Sequence, residues 1–118
     1  MVGKERNMKK LFISCPMKGR TDEAIKESRE KMHKIAEIIF GEELEVIDSF
    51  IPGSAPDASN RAVRYLGKSI QKMAEADFYI GIHPDINFRG CEIENIVAIT
   101  YGIKSTFVSL VQIADDIP

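Results

Sequence analysis

Two short segments hold most of the residues able to do chemistry. The first, Ser14-Cys15-Pro16-Met17-Lys18-Gly19, runs straight out of the apolar stretch Leu11-Phe12-Ile13. The second is Arg89-Gly90-Cys91-Glu92-Ile93-Glu94-Asn95. A loop punctuated by Pro and Gly, placed after a strand and before a helix, can aim backbone N–H groups at an anion. Gly90 allows a ligand to approach the backbone closely. Arg89 beside it can grip a phosphate or carboxylate through two parallel hydrogen bonds, or instead hold Glu92 or Asp85. Two carboxylates, Glu92 and Glu94, then fall in the first turn of a helix at the ligand edge. Their plainer reading is helix-dipole complementarity. Spacing does not choose between them, because each flanks the apolar stripe of its helix.

The other candidates read more simply. Cys15, Cys91 and His83 would need a fourth ligand or an open position to hold zinc, and their spacing fits no zinc pattern, so no metal is expected. A redox pair between the two cysteines is set against a reducing compartment. His83 is expected at a strand end or facing solvent. Tyr65, Tyr79 and Tyr101 read as core or interface, and Met32 and Met73 as packing.

These segments need a scaffold, and the patterning supplies one. Leu11-Phe12-Ile13 predicts a buried strand stopped by Pro16. Apolar residues at Ala24, Ile25, Met32, Ile35, Ala36, Ile39 and Phe40 predict an amphipathic helix over Thr21–Phe40, with Arg29 among the polar residues filling the other positions. Thr21 is its N-cap and Gly41 ends it. Leu44–Ile47 reads as a second strand and Asp48–Asn60 as a loop long enough to suspect function. A second helix is expected over Arg61–Ala76, with Ala62, Val63, Leu66, Ile70, Met73 and Ala74 on one face. Phe78–Ile82 is a third strand, His83–Gly90 a loop, Glu92–Tyr101 a third helix ended by Gly102, and Thr106–Val111 a fourth strand.

The alternating order predicts an α/β three-layer Rossmann- or flavodoxin-like domain with a mostly parallel sheet of four or five strands. Ligands of such sheets bind outside the carboxyl ends of the strands, where both chemistry-bearing segments fall. Residues 1–8 read as a flexible extension and 9–118 as one domain. The 118 residues are 44% hydrophobic and 29% charged, with a formal net charge of −2. That balance argues against a nucleic-acid partner but not against a small anion. No apolar run is long enough for a membrane span and no secretory signal is seen, so the expected location is cytoplasmic, with no membrane partner.

Phe12-Ile-Ser-Cys-Pro-Met-Lys-Gly19 resembles the opening strand and loop of the nucleoside 2-deoxyribosyltransferase superfamily, closest to a small branch opening I-S-G-P-M-x-G. Ala76-Asp77-Phe78-Tyr79-Ile80 resembles that superfamily's third strand. Arg89-Gly90-Cys91-Glu92-Ile93-Glu94, with Ala98 and then Tyr101-Gly102, is similar to its G-x-x-x-E-x-x-x-A-x-x-x-G signature. The resemblance covers about Met8 to Val108 and selects Glu94 over Glu92. It implies that Glu94 attacks the anomeric carbon of a nucleoside or nucleotide, releasing the base; a carboxylate suits this as nucleophile and as partner of a cationic transition state. It implies binding residues at Ser14, Cys15, Pro16, Met17, Lys18, Gly19, Ser69, Arg89 and Gly90, no cofactor, and assembly into a homo-oligomer. Cys15 stands where the family has Gly and is expected to narrow the pocket or alter the backbone. Ser69 stands where transferases carry a ligand-contacting Asp, and Phe88 where they carry a further acid. These departures leave a non-catalytic nucleotide-binding module as the alternative to an enzyme, and an oligomeric scaffold as a third reading.

Overall fold

In the computed structural model, residues 7–48 and 60–117 are described. The expected extension (apart from Asn7 and Met8) and most of the Asp48–Asn60 loop lie outside them. The elements are β1 (Lys9–Ile13), α1 (Asp22–Phe40), β2 (Leu44–Val46), α2 (Arg61–Met73), β3 (Phe78–Ile82), α3 (Arg89–Thr100), β4 (Lys104–Val108) and α4 (Leu110–Ile113). The four strands form one all-parallel sheet in the order β2-β1-β3-β4. Helices cover both faces, so the fold is the three-layer Rossmann/flavodoxin-like arrangement.

Strand alternation builds the two cores. Leu11, Ile13, Phe78, Ile80 and Ile82 pack with Ile25, Met32 and Ala36 of α1 and Ile113 of α4. Phe12 and Tyr79 point the other way, to Met73 of α2 and Ala98 of α3. β1 connects outward to β2, whereas the chain crosses back to β3 and on to β4. Crossovers of one hand therefore place α1 opposite α2 and α3. The connections of adjacent β1 and β3 diverge, which opens a crevice at their carboxyl ends.

Several boundaries differ from the sequence reading. β2 stops at Val46, though Ile47 N–H still donates to the Leu11 carbonyl (2.9 Å). α2 stops at Met73, and Ala62, Val63 and Ala74 are exposed rather than part of a buried face. α3 starts at Arg89, three residues early, so Glu94 lies beyond its first turn. β4 ends at Val108, and the apolar Leu110-Val111 begins α4 instead of extending a strand. The cause is local: Ser109 and Gln112 form a capping box, which nucleates a helical turn there. Thr21 caps α1 as expected, accepting from Ala24 N–H at 3.1 Å. No helix among the described residues is long and apolar enough to cross a membrane.

Candidate functional site

Ser14 is the first residue past β1, and its N–H donates to the Ile80 carbonyl (2.9 Å), so the backbone here still belongs to the sheet. Alternation then sends the Ser14 side chain the way of Phe12, toward α2 and α3. Glu94, only 8% exposed, meets it from α3. Ser14 Oγ donates to Glu94 Oε1 at 2.6 Å, and Ser69 Oγ, from α2, donates to Oε2 at 2.5 Å. Three elements thus converge on one carboxylate at the β1–β3 crevice. Each carboxylate oxygen keeps a second lone pair for a ligand.

Burial pushes the Glu94 carboxyl above its ordinary value, opposed by the two serine hydrogen bonds and by the positive charge of Arg29. Arg29 is half-buried on α1, and its Nη1 lies 3.4 Å from the Ile13 carbonyl at the end of β1. Its position, four residues after buried Ile25 and three before buried Met32, is the signal that could have separated it from the solvent-facing charges.

A second network supports Glu94 from behind. Tyr79 Oη donates to Asn95 Oδ1, and Asn95 Nδ2 donates to the Ile82 carbonyl (2.8 Å). Tyr79 is fully buried and Asn95 6% exposed. A Cβ at Gly81 would collide with Asn95 Oδ1 and lie 2.8 Å from Tyr79 Cε1, so close approach makes glycine the residue that fits. Sequence reading placed Tyr79 in the core or an interface and gave neither Asn95 nor Gly81 a role.

The remaining expected site residues are placed differently. Pro16 is buried; Met17, Lys18 and Gly19 form an exposed turn, closed by Arg20 N–H to the Met17 carbonyl (3.1 Å). Gly19, at φ +75°, supplies the left-handed residue this turn needs. Arg89 and Gly90 are exposed in the first turn of α3. Gly90 has no positive φ, and a Cβ there would meet only open space, so nothing local requires a glycine. Cys15 does not narrow the crevice: alternation turns its thiol into the α1-side core, 3.8 Å from the Ile25 carbonyl. Burial pushes this thiol up to about 11 and that of Cys91 to about 12, and both cysteines are free. Phe88 is a buried N-cap of α3 without a side-chain capping bond. His83 is exposed, its ring 6.4 Å from Phe107.

Arg20 anchors the first loop. Its side chain is 2% exposed and donates to the Pro16 carbonyl (2.8 Å), Ser28 Oγ (2.7 Å) and both Asp116 oxygens (2.9 Å each). Ser28 in turn donates to the Ile113 carbonyl (2.6 Å). Arg20→Ala is therefore expected to cost about 2 kcal/mol, since it orphans buried acceptors; urea unfolding measures it. The Arg20 hydrogen bonds also hold the Asp116 carboxyl below its ordinary 3.8, so the share of stability that comes from this ion pair alone is present above that value and is lost as pH falls through the depressed one.

A concavity of about 520 Å³ lies at the opposite end of the sheet, lined by Asn7, Met8, Lys10, Glu45, Glu75 and Asp77, and shares no residue with the Glu94 cluster. Among the described residues no group of three or more His, Cys, Asp or Glu side chains is placed to hold a metal. No protein-family model, curated protein or solved structure matches the chain.

Proposed function

We propose that the chain is a nucleoside- or nucleotide-processing protein of the nucleoside 2-deoxyribosyltransferase type that cleaves or transfers at the N-glycosidic bond. The observation that carries this reading is a nearly buried Glu94 gripped by hydroxyls from two other elements at the sheet's switch point. A purely dipole-complementing acid would sit in the first helical turn and face water. Glu94 attacks the anomeric carbon, the base departs, and water or a second base resolves the glycosyl ester. Ser14 and Ser69 fix the carboxylate's orientation and favour its charged form. Ile96 and Ile99 of α3, 61% and 62% exposed, support the further proposal of a homo-oligomer.

Incubation with deoxy- and ribonucleosides and their 5′-monophosphates, read as free base by chromatography, tests the reading. Base release that Glu94→Gln removes supports it; equal release by both proteins refutes it. Ser69, standing where the transferases carry a ligand-contacting acid, favours one rival, a binding module without turnover. That rival predicts ligand-induced thermal stabilisation with no product.

Ser69→Ala tests the role given to the hydroxyl. Losing one donor raises the Glu94 carboxyl further, so the acid limb of the pH–rate profile should move upward and the plateau rate fall about tenfold. A rate loss with an unmoved limb would mean that Ser69 acts on the ligand and not on Glu94.

A further inference from the structure

A helix in the outer layer of such a fold normally turns its large aliphatic side chains to the sheet and its polar ones to water. α3 does the reverse. Its buried stripe is Cys91, Glu94, Asn95 and Ala98, two of them polar, whereas Ile93, Ile96 and Ile99 are exposed. The outward stripe runs through Arg89, Ile93, Ile96 and Thr100 at three- and four-residue spacings, with Ile99 beside Thr100. From Ile93 to Ile103 the only charged residue is Glu94, and it points inward. Glu94 is bonded to Ser14 and Ser69, and Asn95 to Tyr79 and the Ile82 carbonyl, so α3 cannot roll to bury its isoleucines. The exposed stripe is contiguous, which is what marks an interaction surface.

We propose that the outward face of α3 is a two-fold interface with a second copy of this chain, in which the two α3 helices pack antiparallel across Ile96. The proposal deepens the homo-oligomer reading, on which it rests, by naming its face and symmetry, and it is independent of the role given to Glu94. A two-fold contact joins one patch to itself, so the patch must tolerate its own copy. An uncharged isoleucine stripe does so without like-charge repulsion. The ends of the helix choose the direction. Arg89 opens α3, where a cation opposes the helix's own dipole, and the last turn carries no basic residue. Antiparallel packing centred on Ile96 sets Ile93 against the partner's Ile99, and Ile96 against the partner's Ile96. It sets Arg89 beside the partner's Ile103, at the carbonyl end of the facing helix, where a cation is favourable. Parallel packing would instead bring the two Arg89 side chains together. Arg89 is thereby assigned to the partner copy rather than to a ligand.

The full chain is measured by sedimentation velocity across a dilution series, with every variant checked for folding by circular dichroism. The wild type is expected as a dimer. Ile96→Asp and Ile96→Lys should each weaken it at least about 100-fold, because two like charges meet at the axis, and an equimolar mixture of the two should restore dimers. Arg89→Glu should weaken it about tenfold. Under mild oxidation Ile96→Cys should cross-link to itself, and Ile93→Cys only to Ile99→Cys when the two are mixed. The native thiols, Cys15 and Cys91, are buried, and the wild type serves as their control. A dimer indifferent to both Ile96 charges, or self-cross-linking of Ile93→Cys, overturns the interface while the homo-oligomer stands. A wild-type chain that is monomeric throughout leaves the face to another occupant and overturns both.

Discussion

Glu94→Gln should abolish base release, by about 10³-fold or more, and at the same time make the folded chain more stable at neutral pH. The loss follows because glutamine cannot form the glycosyl ester. The gain follows from burial. Glu94 is 8% exposed, and desolvation raises its carboxyl above the ordinary value of 4.5. A carboxyl raised on folding contributes stability below its unfolded value, and that contribution is lost as pH rises through the folded one. Above the folded value the native chain therefore carries an unfavourable buried charge, which the amide removes while still offering polar atoms to Ser14 and Ser69. A rise in Tm of about 5 °C at pH 7.5, near 1 kcal/mol for a domain of this size, is expected. The difference should vanish near pH 4, where both side chains are neutral. Thermal scans of the two proteins across pH measure this directly. A variant less stable at every pH would show that the serine bonds outweigh the cost of burial.

Gly81→Ala carries the largest expected cost in stability, about 3 kcal/mol by urea unfolding. Gly81 lies in β3, a strand flanked by β1 and β4, and pairs with Phe107 of β4, so its backbone has little room to retreat. The added methyl would press on Asn95 and Tyr79, the pair that seats α3 against the sheet behind Glu94. Activity should fall with it. Asn95→Ala relieves the nearest clash, so the double variant should be less destabilised than the sum of the singles, by about 1 kcal/mol or more. Strict additivity would mean that the methyl strains the strand rather than its neighbours.

Much of the scaffold is legible in residue order. The apolar runs at Leu11–Ile13 and Phe78–Ile82 are buried strands because parallel strands covered on both faces need continuous hydrophobicity. Thr21 marks a helix start through its own side-chain bond. Ser109 and Gln112 carry an equally local signal, yet the apolar Leu110-Val111 between them imitates a strand, and only the closed capping box separates the two.

The face of α3 that turns inward is less legible. Glu92 and Glu94 lie about 200° apart on a helix, so one at most can face the sheet. Hydrophobicity alone would bury Ile93, Ile96 and Ile99. The structure instead buries Cys91, Glu94, Asn95 and Ala98, a stripe of three- and four-residue spacings whose apolar members are small. The resemblance to the transferases selected Glu94; composition could not, because its burial depends on partners 80 and 25 residues away, Ser14 and Ser69. Arg29 was hidden for the same reason: a charged residue on a helix reads as solvent-facing until the helix docks.

The chain's own order therefore determined the types of the main elements, the parallel sheet and the two segments that meet at the carboxyl edge of the sheet, because periodicity, caps and turn residues act within a few positions. Tertiary structure alone decided the strand order β2-β1-β3-β4, and with it the crevice between β1 and β3. It also decided that the opening loop contributes Ser14 to the Glu94 cluster while Cys15 turns into the core and Met17, Lys18 and Gly19 stay in an exposed turn. Side-chain direction at the end of a strand follows the sheet's pleat, and the pleat is fixed only when neighbouring strands pair.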